Sequence, residues 1–455
     1  MAIESYHCSL CGRRVKMQNR TDLPVLDPNT GFAICKNCIK NIYNWIEDDE
    51  QRRSRSSKRG FNYMLGELLA KNKPHVIKEY LDEFIIMQDR AKKILSVAAY
   101  NHYKRMKYDL DNNGSDAEID KSNVIIMGPT GCGKTAMLSH LSKLLDIPFA
   151  VTDASSLTEA GFVGADVEVA VRNLYYAAGK DIEKTEHGII YLDEFDKIAR
   201  KSGENNSITA DPGHEGVQQG LLKMLEGSVV EFTERGQRKH PEAPTIKVNT
   251  KNILFIVGGA FVGIEKIIEK RVRKGDTNIG FGSEIPSKED TDAKFNELIH
   301  QVRPEDLMKY GIIPEIIGRL PVICTLETLD EDALLRILTE PKNAPVKQYE
   351  KLLAMDNVRL EFEEAALRRV AKMAIERKTG ARSLKGIIED VMLDVMFDIP
   401  KTEEPRRVVI TEACINGEEQ PQIFPLEENV KEPEKEPAKE NSLADTMNIF
   451  SDKLA

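Results

Sequence analysis

The middle of the chain carries a glycine-rich octapeptide with the spacing of a phosphate-binding loop, Gly128-Pro129-Thr130-Gly131-Cys132-Gly133-Lys134-Thr135. It follows the apolar run Val124–Met127 and precedes a helical pattern over residues 136–145, which is the context that such a loop requires. The glycines let backbone N–H groups turn toward phosphates, and the helix start adds its positive end. We therefore expect Lys134 to reach the β- and γ-phosphates of a nucleotide and Thr135 to bind Mg²⁺. Cys132 occupies a variable position of the pattern, and its side chain is assigned no role.

A second apolar run, residues 188–192, ends in two acidic residues, Asp193 and Glu194. At the carboxyl end of a strand, Asp193 is expected to hold the Mg²⁺ hydration shell. Glu194 is expected to polarise a water molecule toward the γ-phosphate. Together with the phosphate-binding loop, the two acids predict an ATPase.

Four of the seven cysteines form two tight pairs near the N-terminus, Cys8 with Cys11 and Cys35 with Cys38. Two C-x₂-C knuckles, here separated by 23 residues, can present four thiolates tetrahedrally, an arrangement that suits Zn²⁺. The odd total and the clustering favour a metal over disulfides. No open coordination position is indicated, so we expect a structural zinc; unliganded structural thiols are the alternative.

Length and composition limit the other possibilities. The chain has 455 residues, 41% of them hydrophobic and 30% charged, which indicates a globular protein of about three domains. A net charge of −10 argues against nucleic acid or anionic lipid as the main partner. No apolar run has the length of a membrane span, and the N-terminus does not resemble a secretory signal. We expect a cytoplasmic protein.

The predicted organisation is α/β in its central part. Short apolar runs at residues 124–127, 188–192 and 252–257 suit central strands of a parallel sheet, and Val217, Leu221, Leu222 and Leu225 share one helix face. The predicted units are a zinc-binding domain over residues 1–46, a charged linker over 47–72, a large ATPase domain over 73–321, a small domain over 322–425 and a disordered acidic tail over 426–455. In the helix-rich small domain, with one or two strands, a long amphipathic helix is indicated by Leu384, Ile387, Ile388, Val391, Met392 and Val395.

With these motifs the sequence resembles the ClpX family of AAA+ protein unfoldases, over the cysteine-rich unit and residues 74–400. The resemblance implies an AAA+ P-loop domain with a parallel sheet, a smaller helix-rich C-terminal lid domain and an N-terminal treble-cleft-like zinc domain. It also implies a homohexamer that hydrolyses ATP and feeds unfolded or tagged protein substrates, with or without adaptors, to a ClpP-like peptidase.

Several short segments carry this resemblance. Gly161-Phe162-Val163-Gly164 resembles an aromatic pore loop with Phe in place of Tyr, and residues 202–216 resemble a second pore loop. Arg238-Lys239-His240 resembles a basic loop at the pore entrance, although a solvated turn remains the alternative. Ile279-Gly280-Phe281, followed by Gly282, resembles the loop that docks on the peptidase; a tip folded back on the core is the alternative.

The resemblance also supplies two arginines and an adenine-contacting turn. Arg319 corresponds to an arginine finger that reaches a neighbouring subunit's nucleotide, and Arg382, within Gly380-Ala381-Arg382, corresponds to the sensor-2 arginine. Ile85 and Ile86 belong to the adenine-contacting turn, where Met87 replaces the usual glycine. No sensor-1 residue is assigned after the run at 252–257, and the acidic tail has no counterpart.

Other functional classes stay open. A nucleic-acid remodeller, such as a clamp loader or helicase, shares the ATPase motifs, and zinc knuckles can contact DNA. A zinc-domain chaperone or adaptor that works without a peptidase is a second alternative. An HslU-like partner of another peptidase is disfavoured by the N-terminal cysteine unit.

Overall fold

The computed structural model describes residues 5–16, 25–27, 32–112, 119–158, 165–199, 212–233, 245–273, 288–399 and 406–425. Within these residues, no helix is both long enough and apolar enough to cross a membrane. The expected acidic tail over 426–455 lies outside them.

The N-terminal unit consists of two short antiparallel hairpins followed by a helix. Strand β1 pairs with β2 and β3 pairs with β4, and α1 follows directly. The bounds are β1 Ser5–His7, β2 Arg14–Lys16, β3 Val25–Asp27, β4 Phe32–Ile34 and α1 Lys36–Lys71. Two hairpins and a helix around two cysteine pairs agree with the expected zinc-binding unit.

The predicted linker over residues 47–72 is wrong as a separate spacer. Helix α1 runs unbroken through this stretch, and its end packs on the large unit. Leu65 and Leu68 are 1% and 8% exposed, and Phe61 and Leu69 pack against the same cluster. These four positions recur at helical spacing, so the chain there buries an apolar stripe although the preceding residues are highly charged.

The large unit is built on a five-stranded sheet in which every neighbouring pair is parallel, in the order β13-β5-β12-β9-β6. The strands of this sheet are β5 Val124–Met127, β6 Phe149–Asp153, β9 Ile189–Asp193, β12 Leu254–Gly259 and β13 Val322–Thr325. Outside the sheet, β7 Leu157–Thr158 pairs with β8 Ala165–Asp166, and β10 Val229–Thr233 forms a hairpin with β11 Thr245–Asn249. Its helices are α2 Pro74–Asp82, α3 Asp89–Asn112, α4 Lys134–Leu145, α5 Val169–Ala177, α6 Ile182–Thr185, α7 Pro212–Glu226, α8 Ile264–Arg273, α9 Lys288–Ile299, α10 Pro304–Tyr310 and α11 Pro314–Gly318.

Both faces of this sheet are buried, as the short apolar runs predict. Ile125 and Met127 belong to one hydrophobic cluster, whereas Val124 and Ile126 belong to the other. The division follows from the alternation of side chains along a strand. All of β5 and β12 is buried, and such continuous burial is typical of central strands in α/β proteins.

The predicted boundary between the two AAA+ units, at residues 321 and 322, lies too early. Strand β13 pairs with β5 from Val322 opposite Val124 to Thr325 opposite Met127, and it therefore completes the large sheet. Backbone pairing with a strand far earlier in the chain decides this assignment. The large unit ends after Thr325.

The small unit contains helices and a three-stranded sheet in the order β14-β15-β16, one or two strands more than expected. The bounds are α12 Glu331–Thr339, α13 Pro345–Ala354, β14 Val358–Phe362, α14 Glu364–Glu376, α15 Leu384–Asp398, β15 Arg406–Ile410, α16 Glu412–Asn416 and β16 Gln422–Pro425. Helix α15 is the predicted amphipathic helix, and its apolar face lies in the core of this unit.

Candidate functional site

The phosphate-binding loop lies between β5 and α4, as its motif requires. Gly131 and Gly133 have φ values of 79° and 102°, in the left-handed region that favours glycine. Lys134 is the first residue of α4, and its ammonium group donates to the carbonyls of Gly128 at 2.6 Å and Pro129 at 2.9 Å. The loop thus presents its lysine and a helix N-terminus on the same side.

The underside of the loop is tightly packed. A Cβ atom on Gly128 would lie 2.7 Å from Leu326 Cβ, so only glycine fits there. Cys132 is 4% exposed, and burial raises the pKa of its thiol. A buried, neutral thiol agrees with the absence of a chemical role for this side chain.

The two acids predicted to complete the site lie where β9 ends. Thr135 Oγ1 donates to Asp193 Oδ2 at 3.4 Å, so the two candidate Mg²⁺-binding side chains face each other. Glu194 has a φ of 54° and an exposed side chain, and its N–H donates to Asp193 Oδ1 at 2.9 Å. The left-handed turn directs the chain away from the strand immediately after Asp193.

Tyr191 is a site residue that the motifs did not indicate. Its hydroxyl donates to Asp193 Oδ1 at 2.9 Å, and burial together with the nearby carboxylate raises its pKa, so it remains a donor. Tyr191 precedes Asp193 by two residues on one strand, and this spacing places both side chains on the same face. That periodicity was the available signal.

The missing sensor-1 side chain has a steric explanation. A Cβ atom on Gly258 would lie 2.5 Å from the Tyr191 hydroxyl, and one on Gly259 would lie 2.2 Å from Asp196 Oδ1. The space beside the end of β12 is therefore occupied by the polar groups of Tyr191, on the neighbouring strand β9, and of Asp196, in the 3-10 turn that follows β9. Glycine at 258 and 259 makes room for them.

The small unit contacts the phosphate-binding loop directly. The N–H of Ala381 donates to the carbonyl of Gly131 at 3.2 Å, and a Cβ atom on Gly131 would lie 2.2 Å from the carbonyl oxygen of Thr379. Arg382 lies in the same 3-10 turn, Gly380–Ser383, with an exposed side chain. The candidate sensor-2 arginine therefore directly follows Ala381, which contacts the loop.

Arg319 follows α11 on the surface of the large unit. Its guanidinium group pairs with Glu226 Oε1 at 2.8 Å, and the two side chains are 54% and 42% exposed. Such exposed pairs contribute only about 0–1 kcal/mol, so this one can exchange partners readily. Asn123 is 1% exposed and its amide donates to the carbonyl of Arg319 at 3.0 Å, which holds the backbone in place.

The candidate adenine-contacting turn connects α2 with α3. Ile85 and Ile86 are 8% and 7% exposed, and the following Met87 and Gln88 have φ values of 57° and 62°. Two consecutive left-handed residues without glycine are a strained arrangement, with a cost of about 1–2 kcal/mol each. The turn therefore keeps a glycine-like conformation although Met87 is not glycine.

This strain predicts the effect of two substitutions at one position. Met87→Gly is expected to be more stable than Met87→Ala by about 1 kcal/mol, because alanine keeps the left-handed penalty and glycine does not. The two variants lose the same side-chain contacts beyond Cβ, so their difference reports the backbone conformation and the contacts of one methyl group. Thermal unfolding of both proteins measures it, and an alanine variant as stable as the glycine variant would show that the turn is not left-handed in solution.

The four N-terminal cysteines come together as their spacing predicts. The sulfur atoms of Cys8, Cys11, Cys35 and Cys38 all lie within 4.8 Å of one another, and those of Cys11 and Cys35 are 3.8 Å apart. A zinc ion with four sulfur ligands at about 2.3 Å requires sulfur–sulfur distances of about 3.8 Å. The donor set and its size therefore suit a closed zinc site.

The thiols of this cluster differ in pKa. Hydrogen bonds from backbone N–H groups, that of Cys35 first, lower the pKa of Cys8 to about 6. Hydrogen bonds with neighbouring thiols, that of Cys35 first, raise the pKa of Cys38 to about 12. Four adjacent thiols cannot all ionise without a cation, and a divalent metal would supply the missing charge.

Three groups of predicted residues lie outside the described residues. They are the candidate pore aromatic segment Gly161, Phe162, Val163 and Gly164, the basic segment Arg238, Lys239 and His240, and the candidate docking segment Ile279, Gly280 and Phe281. The first falls between β7 and β8, the second between β10 and β11, and the third between α8 and α9. Most of the second candidate pore loop, residues 202–211, also lies outside. The roles of all these residues remain predictions.

Comparison with known families agrees with the two-unit arrangement. Residues 119–323 match the family described as AAA domain (Cdc48 subfamily), and this range contains the phosphate-binding loop, Asp193 and Glu194. Residues 329–408 match the C-terminal, D2-small domain of ClpB protein, and this range contains Arg382. The fold and the site thus define an AAA+ ATPase, which implies ATP and Mg²⁺ as its nucleotide and metal.

The combination of the two matches points to the Clp/Hsp100 AAA+ proteins. The predicted fold class and the predicted ATPase activity are confirmed at this level. These two matches do not distinguish the ClpX family from other Clp/Hsp100 proteins.

Proposed function

We propose that this chain is a ClpX-like protein unfoldase that works as a homohexameric ring and delivers unfolded chains to a ClpP-like peptidase. The observation that carries the proposal is the contact between the small unit and the phosphate-binding loop, from Ala381 N–H to the Gly131 carbonyl. A nucleotide held by that loop lies where the two units meet. Its hydrolysis can therefore change their relative orientation, which is what a mechanical motor requires.

In this proposal the nucleotide is held by the residues of the loop and its two partners. Lys134 neutralises the phosphates, while Thr135 and Asp193 hold Mg²⁺, which stabilises the charge on the phosphates when bound. Glu194 orients and polarises the attacking water. Arg319 contributes to the site of a neighbouring subunit, and Arg382 contributes to the site of its own chain.

Substrate handling and peptidase docking rest on sequence resemblance. Phe162 is proposed to contact the substrate chain in the pore. Arg238-Lys239-His240 are proposed to attract the end of a substrate, and Ile279-Gly280-Phe281 are proposed to dock on the peptidase. A cytoplasmic location also remains a prediction.

The test uses purified protein, an unfolded tagged substrate and a ClpP-like peptidase. Degradation is expected only when ATP, the ATPase and the peptidase are all present. Phe162→Ala is expected to retain ATP hydrolysis but to slow degradation at least about tenfold, because a lost aromatic contact of about 1.4 kcal/mol corresponds to that factor. Rates of ATP hydrolysis and of substrate loss are measured in the same samples.

Two variants serve as controls in this test. Phe162→Tyr keeps an aromatic ring and should degrade substrate at the rate of the natural chain, whereas Lys134→Ala should lose both activities. ATP hydrolysis that responds to single-stranded DNA but not to unfolded protein would contradict the proposal and favour a nucleic-acid remodeller. Protein-stimulated hydrolysis without any response to the peptidase would favour a chaperone or adaptor that acts alone.

A further inference from the structure

A short connector, residues 325–328, joins the last strand of the large sheet to the small unit. Thr325 ends β13, and α12 begins at Glu331. Side chains from two distant parts of the large unit hold this connector. The first part is the candidate adenine-contacting turn, through Gln88. The second part is the C-terminal end of α9, through Asn296 and the next residue after the helix, His300.

Gln88, in the candidate adenine-contacting turn, forms two hydrogen bonds between its side-chain amide and the backbone of Glu327. Its amide N–H donates to the carbonyl of Glu327 at 2.9 Å, and the N–H of Glu327 donates to its amide oxygen at 2.9 Å. Gln88 is 3% exposed, and both bonds are partly buried. Strained residues such as Met87 and Gln88 persist only where their surroundings hold them, and these bonds provide that restraint.

On the other side, α9 holds the same residues through their side chains. His300 Nε2 donates to the Glu327 carboxylate at 2.8 Å, and its Nδ1 is 3.0 Å from Thr325 Oγ1. Asn296 Oδ1 accepts from the N–H and the hydroxyl of Thr328 at 2.8 and 3.0 Å. The His300 and Glu327 side chains are 23% and 31% exposed, so their pair is partly shielded.

Glu327 is therefore the residue at which the two sides meet. Its backbone is bonded to Gln88 and its carboxylate to His300. A displacement of the adenine-contacting turn must move the backbone of Glu327 or break two partly buried hydrogen bonds. A displacement of Glu327 in turn must move the end of α9 or break the hydrogen bond between His300 and Glu327.

We propose that the connector couples nucleotide occupancy to helix α9, with Gln88, Glu327, His300 and Asn296 as positioning residues. This inference rests on the proposed nucleotide site and extends it to helix α9 of the large unit. Coupling between two sites of a protein changes binding equilibria by about 5- to 150-fold.

The experiment measures amide hydrogen exchange of α9 in the full chain, with and without ADP or a slowly hydrolysed ATP analogue. In the natural chain, nucleotide is expected to change the exchange rates of α9 at least about fivefold, the lower end of typical coupling. In His300→Ala that response should fall to less than about twofold. His300→Gln, which can still donate to Glu327, should recover it.

Lys294→Ala is the matched control, because Lys294 lies on the same helix but pairs with Glu269 of α8. This variant should keep the full response to nucleotide. Glu327→Gln is a second test variant that retains both backbone bonds to Gln88 and weakens only the pair with His300. It keeps the proposal testable if His300→Ala unfolds.

Nucleotide affinity is measured on the same samples with a fluorescent ADP analogue. An α9 that is indifferent to bound nucleotide in the natural chain would overturn the coupling. So would a full response in both His300→Ala and Glu327→Gln. Failure of every variant and of the natural chain to bind nucleotide would instead contradict the proposed nucleotide site.

Discussion

Replacing Glu194 with glutamine is expected to slow ATP hydrolysis by about 100- to 10,000-fold while nucleotide still binds. Glu194 is exposed at the end of β9, and among the described residues its carboxylate has no hydrogen-bond donor that would occupy it. A free carboxylate next to Asp193 can accept a proton from water, whereas an amide cannot. Binding should persist because Lys134, Thr135 and Asp193 are unchanged.

Two measurements separate these effects. The hydrolysis rate is taken at saturating ATP, and the affinity is taken with a fluorescent nucleotide. Glu350→Gln makes the same chemical change at an exposed position of α13 and should leave both quantities unaltered. A Glu194→Gln protein that hydrolyses ATP within about tenfold of the natural rate would remove Glu194 from the role of general base.

Removal of the metal is expected to unfold the N-terminal unit and leave the ATPase module folded. Strands β1 to β4 have three residues each, so this unit has very little core of its own. A four-cysteine zinc site contributes about 10–16 kcal/mol of binding free energy, which in such small units is folding free energy. One zinc per chain is expected by elemental analysis, and chelation should expose the first 40 or so residues to protease.

Two variants distinguish the metal site from other thiols. Cys35→Ser should abolish the stoichiometric zinc, whereas Cys414→Ala, at a buried cysteine in the small unit, should retain it. Protons compete with zinc for thiolates, so metal should be released more readily as the pH falls. A chain that binds no zinc and still resists protease over its first 40 residues would contradict a structural zinc site.

The chemistry-bearing residues could be predicted because their signals are local. The phosphate-binding loop combines a fixed spacing with a strand before it and a helix after it, and β5 and α4 are where this context requires them. The two cysteine pairs similarly define a four-sulfur site, and the structure brings all four atoms within 4.8 Å. In both cases, the residues that predict the site are close to one another in the sequence.

The errors concern contacts between distant residues. The predicted small domain begins at residue 322, where the sequence becomes helix-rich, and only the pairing of β13 with β5 places residues 322–325 in the large sheet. The charged residues that begin the stretch 47–72 predict a linker, and only the burial of Leu65 and Leu68 shows that the end of α1 packs on the large unit.

The sequence by itself determined the ATPase motifs, the candidate metal ligands and the α/β pattern, because each depends on residue type and short-range spacing. Tertiary structure alone decided that Tyr191 supports Asp193, that glycines at the end of β12 make room for polar groups, and that Gln88 holds Glu327. These contacts depend on which strands are neighbours and on which side chains fill the space between them. Such choices are settled by packing over the whole unit, and no short segment of the chain encodes them.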